Sequence, residues 1–97
     1  MQTYILLMKL TEQGIKDIKN APKRIELATQ SLEAMGGMMI GVYAVMGEYD
    51  YVAIGEAPSD EVAMRFLLGL GALGNARTTT LKAFKKEEFV GIVKKMP

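Results

Sequence analysis

Two acidic side chains near the middle of the chain are spaced so that they could act together. Glu48 and Asp50 lie two residues apart, and alternate residues of a strand share a face, so both carboxylates could point the same way. Glycosidase chemistry needs two carboxylates about 5–9 Å apart across a cleft, which a turn does not supply by itself. The segment also suits a plain turn, with Gly47 giving backbone freedom and Asp50 bonding nearby N–H groups. A third possibility is a ligand contact through Asp50.

Arg77, which precedes a run of three threonines, is the main cationic candidate. Its guanidinium could bind a carboxylate through two parallel hydrogen bonds. It could instead form an ion pair with Glu48, Asp50 or Glu56, and this pairing is our prediction. If the two segments bind a ligand, the contacts come from four residues: Gly47, Tyr49, Asp50 and Arg77.

Glycines at positions 69, 71 and 74 match the spacing of dinucleotide-binding loops. That motif must follow a strand and begin a helix, whereas these glycines end a helix that is predicted to begin after Ser59. We therefore do not expect dinucleotide binding. Helical glycines cost about 1 kcal/mol each relative to alanine. They indicate either close packing on the sheet together with a helix C-cap, or a loose last turn or space left between helix and sheet.

The composition excludes several classes of function. The 97 residues include no Cys and no His, which rules out disulfides, zinc fingers, haem or iron–sulfur ligation and histidine-based catalytic triads. We expect no metal and no cofactor. A net charge of +1 argues against nucleic acid or an anionic membrane as partner. With no signal peptide and no apolar run of about 18 residues, we expect a cytoplasmic protein with one domain spanning residues 1–97.

The patterns along the chain predict the order β-α-β-β-α-β followed by a terminal helix. Strands are predicted over residues 3–10, 38–46, 49–56 and 77–84, and helices over 13–19, 22–35, 60–73 and 86–95. Thr11, Asn20 and Ser59 are predicted helix N-caps, and a tight turn is predicted at 47–48. This is the ferredoxin-like α+β arrangement, a four-stranded antiparallel sheet with helices on one face.

The first two strands are apolar on both faces, although helices can cover only one. In the first strand Ile5 and Leu7 oppose Leu6 and Met8. In the second, strict alternation sets Ile40, Val42 and Ala44 against Met39, Tyr43 and Val45. The uncovered face predicts a homodimer paired through its sheets, and a higher oligomer stays open as an alternative. In the alternative, the terminal helix folds over the open face of a monomer.

Three segments of the chain, in order, resemble the GYD-domain family. They are Thr11-Glu12-Gln13-Gly14-Ile15 with Ala21-Pro22-Lys23-Arg24, then Gly47-Glu48-Tyr49-Asp50, then Gly71-Ala72-Leu73-Gly74-Asn75-Ala76-Arg77-Thr78. The resemblance spans about residues 1–84. It implies the ferredoxin-like dimeric α+β barrel fold of small bacterial and archaeal proteins, a family with no established activity.

Part of the chain is also similar to the effector-binding domain of Lrp/AsnC regulators. The similarity rests on Gly47-x-Tyr49-Asp50-Tyr51 followed by Ala76-Arg77-Thr78-x-Thr80. Those domains bind amino acids at contacts between dimers, close to the G-x-Y-D turn, which implies a small-molecule ligand. No helix-turn-helix precedes the first predicted strand, so we expect no direct contact with nucleic acid.

These observations leave three hypotheses for function. The preferred one is a small-molecule binding or sensor module. The alternative is a cofactor-independent enzyme of the dimeric α+β barrel type, monooxygenase- or isomerase-like, with a pocket between sheet and helices. Without His, its base would be a tyrosine or a carboxylate such as Glu48 or Asp50. The third is a purely structural or interaction protein whose sheet face is an assembly surface.

Overall fold

A four-stranded antiparallel sheet forms the base of the fold in the computed structural model, which describes residues 1–97. Its strands are β1 (Gln2–Leu10), β2 (Met38–Ala44), β3 (Tyr51–Ala57) and β4 (Ala76–Ala83). The spatial order is β2-β3-β1-β4, so β1 and β3 lie in the centre. This order and the helix positions confirm the predicted ferredoxin-like α+β fold.

Two main helices pack on one face of this sheet. They are α2 (Ala21–Ala34) and α3 (Asp60–Leu73), and the chain also forms the short helix α1 (Glu12–Lys16) and the terminal helix α4 (Lys86–Lys94). The predicted single helix over 13–19 is wrong, because Asp17 has φ −104° and ψ 34° and separates α1 from a 3-10 turn at Ile18–Asn20.

The predicted caps are confirmed at two of three positions. The hydroxyl of Thr11 accepts a hydrogen bond from the Gly14 amide at 3.1 Å, and that of Ser59 accepts one from Val62 at 3.2 Å. Asn20 makes no side-chain cap. Its amide instead donates to the Asp17 carboxylate at 2.6 Å.

The core lies between the sheet and the two main helices, and it is small. Only 12 of the 97 residues are buried. The apolar cluster joins the three elements through Tyr4 and Leu6 of β1, Ala53 and Ala57 of β3, Leu32 of α2, and Val62, Ala63 and Phe66 of α3. Ala53 and Ala57 of β3 let the helices approach the sheet, but they fill little volume.

A β-bulge in β2 overturns the predicted alternation of its side chains. Met39 pairs with Gly55 and Gly41 pairs with Ile54, so Ile40 is an extra residue in the ladder. Met39 and Val42, which were expected on opposite faces, therefore both pack against the core under the helices.

The connection between β2 and β3 is also longer than predicted. The strands end at Ala44 and begin again at Tyr51, so residues 45–50 replace the tight turn expected at 47–48. The amide of Val45 donates to the carbonyl of Asp50 at 2.9 Å and closes this loop.

The terminal helix α4 does not shield the open face of the sheet. Every residue of α4 is exposed except Gly91, which is half-buried. Met38, Tyr43 and Leu81 of the open face are still 46–59% exposed.

None of the helices is both long and apolar enough to cross a lipid bilayer.

Candidate functional site

A cavity of about 290 Å³ lies between the helix-covered face of the sheet and helices α2 and α3. Met8, Val42 and Ala53 contribute to its floor, and Phe66 and Leu70 belong to the α3 wall. Of its 21 lining residues 15 are hydrophobic, which is the usual character of a small-molecule pocket.

Small side chains and a glycine keep this space open. Gly69 belongs to the α3 wall, and a Cβ atom added there would meet no other heavy atom within 4 Å. Gly71 is equally unobstructed but does not line the cavity. Of the two explanations for the α3 glycines, close packing is therefore wrong at both positions, and space left beside the helix is confirmed at Gly69.

The polar groups of the cavity are few. Tyr51 lies in the floor, and Asn75 follows the end of α3, where its carboxamide oxygen accepts from the Gln13 amide at 3.0 Å. The only fully charged side chains are Arg24 on α2 and Arg65 on α3. The sequence did not single out either arginine as a site residue: Arg24 entered only as part of the segment Ala21-Pro22-Lys23-Arg24 that resembles the family, and Arg65 lies on a predicted helix with no motif around it.

Asp50, one of the four candidates from the sequence, lies in the β2–β3 connection and makes two hydrogen bonds to β1. Its Oδ2 accepts a hydrogen bond from the amide of Leu10 at 2.8 Å, and its own amide donates to the carbonyl of Met8 at 2.8 Å. The carboxylate thus fastens the connection to the end of β1, as the turn interpretation requires.

Tyr49 and Arg77, two more candidates, both lie beside Lys9. The Lys9 ammonium is 5.4 Å from the centroid of the Tyr49 ring, and Arg77 pairs with Lys9 in the β1–β4 ladder. The predicted ion pair of Arg77 is wrong, because Glu48 lies 3.6 Å from Lys9 and Glu56 lies 2.9 Å from Lys85 instead.

Gly47, the last of the four candidates, is exposed at the tip of the connection. Its φ of +115° is a backbone conformation that glycine adopts without strain. None of the four candidates lines the cavity, although Tyr51, the next residue after Asp50, does. Their contact with a ligand stays a prediction.

A hydrogen-bonded cluster that the sequence did not suggest joins β1, β4 and α3. The buried hydroxyl of Tyr4 donates to Oδ1 of Asp60, and the Lys82 ammonium lies 3.1 Å from Oδ2 of the same carboxylate. Burial, together with the bond to Asp60, raises the pKa of Tyr4 to about 12. The bonds from Tyr4 and Lys82 lower the pKa of Asp60.

A second pair of groups, Glu56 and Lys85, has displaced pKa values. The hydrogen bond from the Lys85 ammonium lowers the pKa of Glu56, and the same bond raises the pKa of Lys85. Both shifted carboxylates are thus held in the charged form. No group of three or more Asp or Glu side chains is placed to hold a metal ion.

Comparison with known proteins gives three consistent matches. A family model described as the GYD domain matches residues 4–93. The chain is 34% identical over 95 residues to a Thermus thermophilus protein described as a glutamine synthetase and cystathionine beta-lyase binding protein, covering 97% of this chain and 100% of that one. The crystal structure of TTHA0845 from Thermus thermophilus matches with a TM-score of 0.50 at 26% identity, over 88% of this chain and 95% of that chain.

Proposed function

Since the chain belongs to the GYD-domain family, we propose that it is a small binding protein whose ligand lies in the cavity between the sheet and helices α2 and α3. The observation that carries this proposal is the cavity itself. Its volume of about 290 Å³ is close to the lower end of typical ligand pockets, at about 300 Å³. The ligand is therefore a small molecule with a mainly apolar surface.

The residues around the cavity favour binding over catalysis. No Asp or Glu lines it, and the two carboxylates considered as a general base, Glu48 and Asp50, belong to the β2–β3 connection outside it. A base suited to neutral pH needs a raised carboxyl pKa, whereas the pKa values of Glu56 and Asp60 are both lowered. Tyr51 is the one remaining acid–base group in the lining besides the two arginines.

The working form that we propose is a homodimer paired through the open sheet faces. Ile5 and Ile54 pair at the centre of that face, and Ile40, Tyr43 and Leu81 are 46–59% exposed. The Cα radius of gyration is 14.7 Å, whereas a compact chain of this length has about 12.5 Å. An open shape with few buried residues gains stability when a second copy covers its apolar surface.

A protein partner is the second function that an observation favours. The Thermus thermophilus relative is described as binding glutamine synthetase and cystathionine beta-lyase. By analogy, this chain would dock on a metabolic enzyme in the cytoplasm, and the ligand in the cavity would control that docking. The exposed apolar stripe of α4, formed by Phe89, Ile92 and Val93, is a surface available for the contact.

Native mass spectrometry of freshly purified protein, followed by denaturation of the same sample, tests the dimer and the ligand together. We expect the mass of a dimer, or of a multiple of it, with an additional small mass that denaturation releases. A monomer at micromolar concentration would contradict the sheet pairing.

For the ligand, the matched variants Gly69→Leu and Gly71→Leu provide the decisive comparison. Only Gly69→Leu should lose the additional small mass. Equal retention of that mass by both variants would contradict the cavity as the site.

The enzyme partner is tested by a separate measurement. Immobilised protein is exposed to purified glutamine synthetase and, as the control, to an unrelated enzyme of similar size. Saturable binding of glutamine synthetase alone supports the analogy. Equal binding of both enzymes, or of neither, contradicts it.

A further inference from the structure

The charge distribution around the cavity narrows the chemistry of its ligand. Its lining holds two positive side chains, Arg24 and Arg65, and no negative one. A cation in this space would meet only positive side chains in the lining. An anion would meet a positive side chain beside an apolar surface.

The two arginines differ in the hydrogen bonds and ion pairs that they already make within the protein. The guanidinium of Arg24 donates to the Asp17 carboxylate and to the Asp17 carbonyl, each at 2.8 Å, and also to the Gly14 carbonyl at 3.3 Å. Its side chain is only 21% exposed. Arg24 is therefore fixed, and its charge is largely compensated by Asp17.

Arg65 is the uncompensated cation of the cavity. It takes part in none of the five ion pairs and in none of the side-chain hydrogen bonds. Its guanidinium carries five N–H donors in a planar fork that matches a carboxylate. One turn further along α3, Gly69 leaves the adjoining wall open.

We propose that the cavity binds a small amphipathic carboxylate, with its apolar body against the floor and its carboxylate on Arg65. This inference rests on the proposed function, because it assigns the ligand class of the same cavity. The body fits among Val42, Phe66 and Leu70, which present no charge. Because Arg65 is exposed, its ion pair with the ligand is partly screened, and burial of the apolar body supplies most of the affinity.

The methionines provide reporters for this proposal. Three of the eight, Met8, Met35 and Met39, line the cavity, whereas Met64 and Met96 are exposed elsewhere. With ¹³C-methyl methionine, the protein can be titrated with decanoate, with neutral 1-decanol and with cationic decylammonium. We expect decanoate to shift the three cavity methyl signals and leave those of Met64 and Met96 in place, and to bind at least 10-fold more tightly than decylammonium.

Two pairs of variants separate the contribution of the Arg65 charge from that of the cavity volume beside Gly69. Arg65→Gln should weaken decanoate binding about 5- to 10-fold and leave decanol binding unchanged. Lys94→Gln, which removes the same net charge from α4, should change neither. Gly69→Leu should abolish binding of both ligands, whereas Gly71→Leu should preserve it.

Each contrary result identifies which inference has failed. If decanoate and decylammonium shift the cavity methyl signals with equal affinity, or if Arg65→Gln has no effect, the carboxylate assignment is wrong while the cavity remains a binding site. If no probe shifts those signals, the proposed function fails as well. If the signals instead move with protein concentration alone, the occupant is a segment of a second copy, which overturns the small-molecule proposal.

Discussion

The hydrogen bond from Tyr4 to Asp60 belongs to a cluster that connects three elements of a small fold. The Tyr4 hydroxyl donates from β1 to Asp60 at the start of α3, and Asp60 also receives Lys82 from β4. We predict that Tyr4→Phe lowers the free energy of unfolding by about 1 kcal/mol, because the change removes one hydrogen bond to a charged and partly exposed acceptor. Urea unfolding measures the loss. Tyr49→Phe, which removes a tyrosine hydroxyl outside this cluster, is the matched control and should leave the midpoint unchanged.

The two lowered carboxyl pKa values determine the response of stability to acid. For Asp60 and Glu56 the folded pKa lies below the unfolded value, so the unfolded chain takes up protons first as the pH falls. Their contribution is complete above the ordinary carboxyl range, near pH 4–5, and is lost as the pH falls through the lowered folded values. Urea midpoints measured from pH 7 to pH 3 should therefore decline at the acid end. Asp60→Asn should flatten that decline, and an unchanged slope would exclude Asp60 as a source.

Asp50 allows its structural role to be separated from the predicted ligand contact. Asp50→Ala leaves the amide of Leu10 without its acceptor and should lower the free energy of unfolding by about 1–2 kcal/mol. Asp50→Asn retains an acceptor oxygen but not the charge, so we expect a smaller loss. Ligand binding by the folded Asp50→Asn variant should match the wild type if Asp50 serves only the fold. A large drop in affinity would instead support the sequence-based assignment.

At the scale of elements, the glycines of α3 should respond to substitution in opposite directions. Gly71 lies in the helix with open space around it, so Gly71→Ala should stabilise the protein by about 0.5–1 kcal/mol. Gly74 ends the helix with a φ of +81°, and a Cβ there would lie 3.3 Å from the Gln13 amide. Gly74→Ala should therefore destabilise by about 1 kcal/mol or more. Thermal unfolding of both variants measures the contrast, and equal shifts would refute the helix-end assignment.

The order of the elements was predictable from the sequence, because each depends on local patterns and caps. Thr11 and Ser59 act within three residues of themselves, so their position alone indicates a helix start. The contacts of Asp50 with β1 and of Tyr4 with Asp60 join segments 40 and 56 residues apart, and no local pattern encodes them. For the cavity, the α3 glycines predicted spare space, but its occupant depends on Arg65, whose free guanidinium is visible only in three dimensions.

At the scale of the whole molecule, the open sheet face is an apolar surface that no helix of the chain covers. We predict that Ile54→Lys, at the centre of that face, halves the mass measured by sedimentation equilibrium, because a charge would be buried between two sheets. Gln30→Lys adds the same charge on the exposed side of α2 and should leave the mass unchanged. An Ile54→Lys variant that sediments like the wild type would place the dimer contact elsewhere.

The extra residue Ile40 in β2 also marks a position at which the coding sequence can lose one codon. The ladder keeps its register on both sides of the bulge, with Met39 opposite Gly55 and Gly41 opposite Ile54. Deleting the single codon for Ile40 would therefore leave the remaining pairs of β2 in place. Position 40 is thus where homologous coding sequences can differ in length by one codon without loss of the sheet.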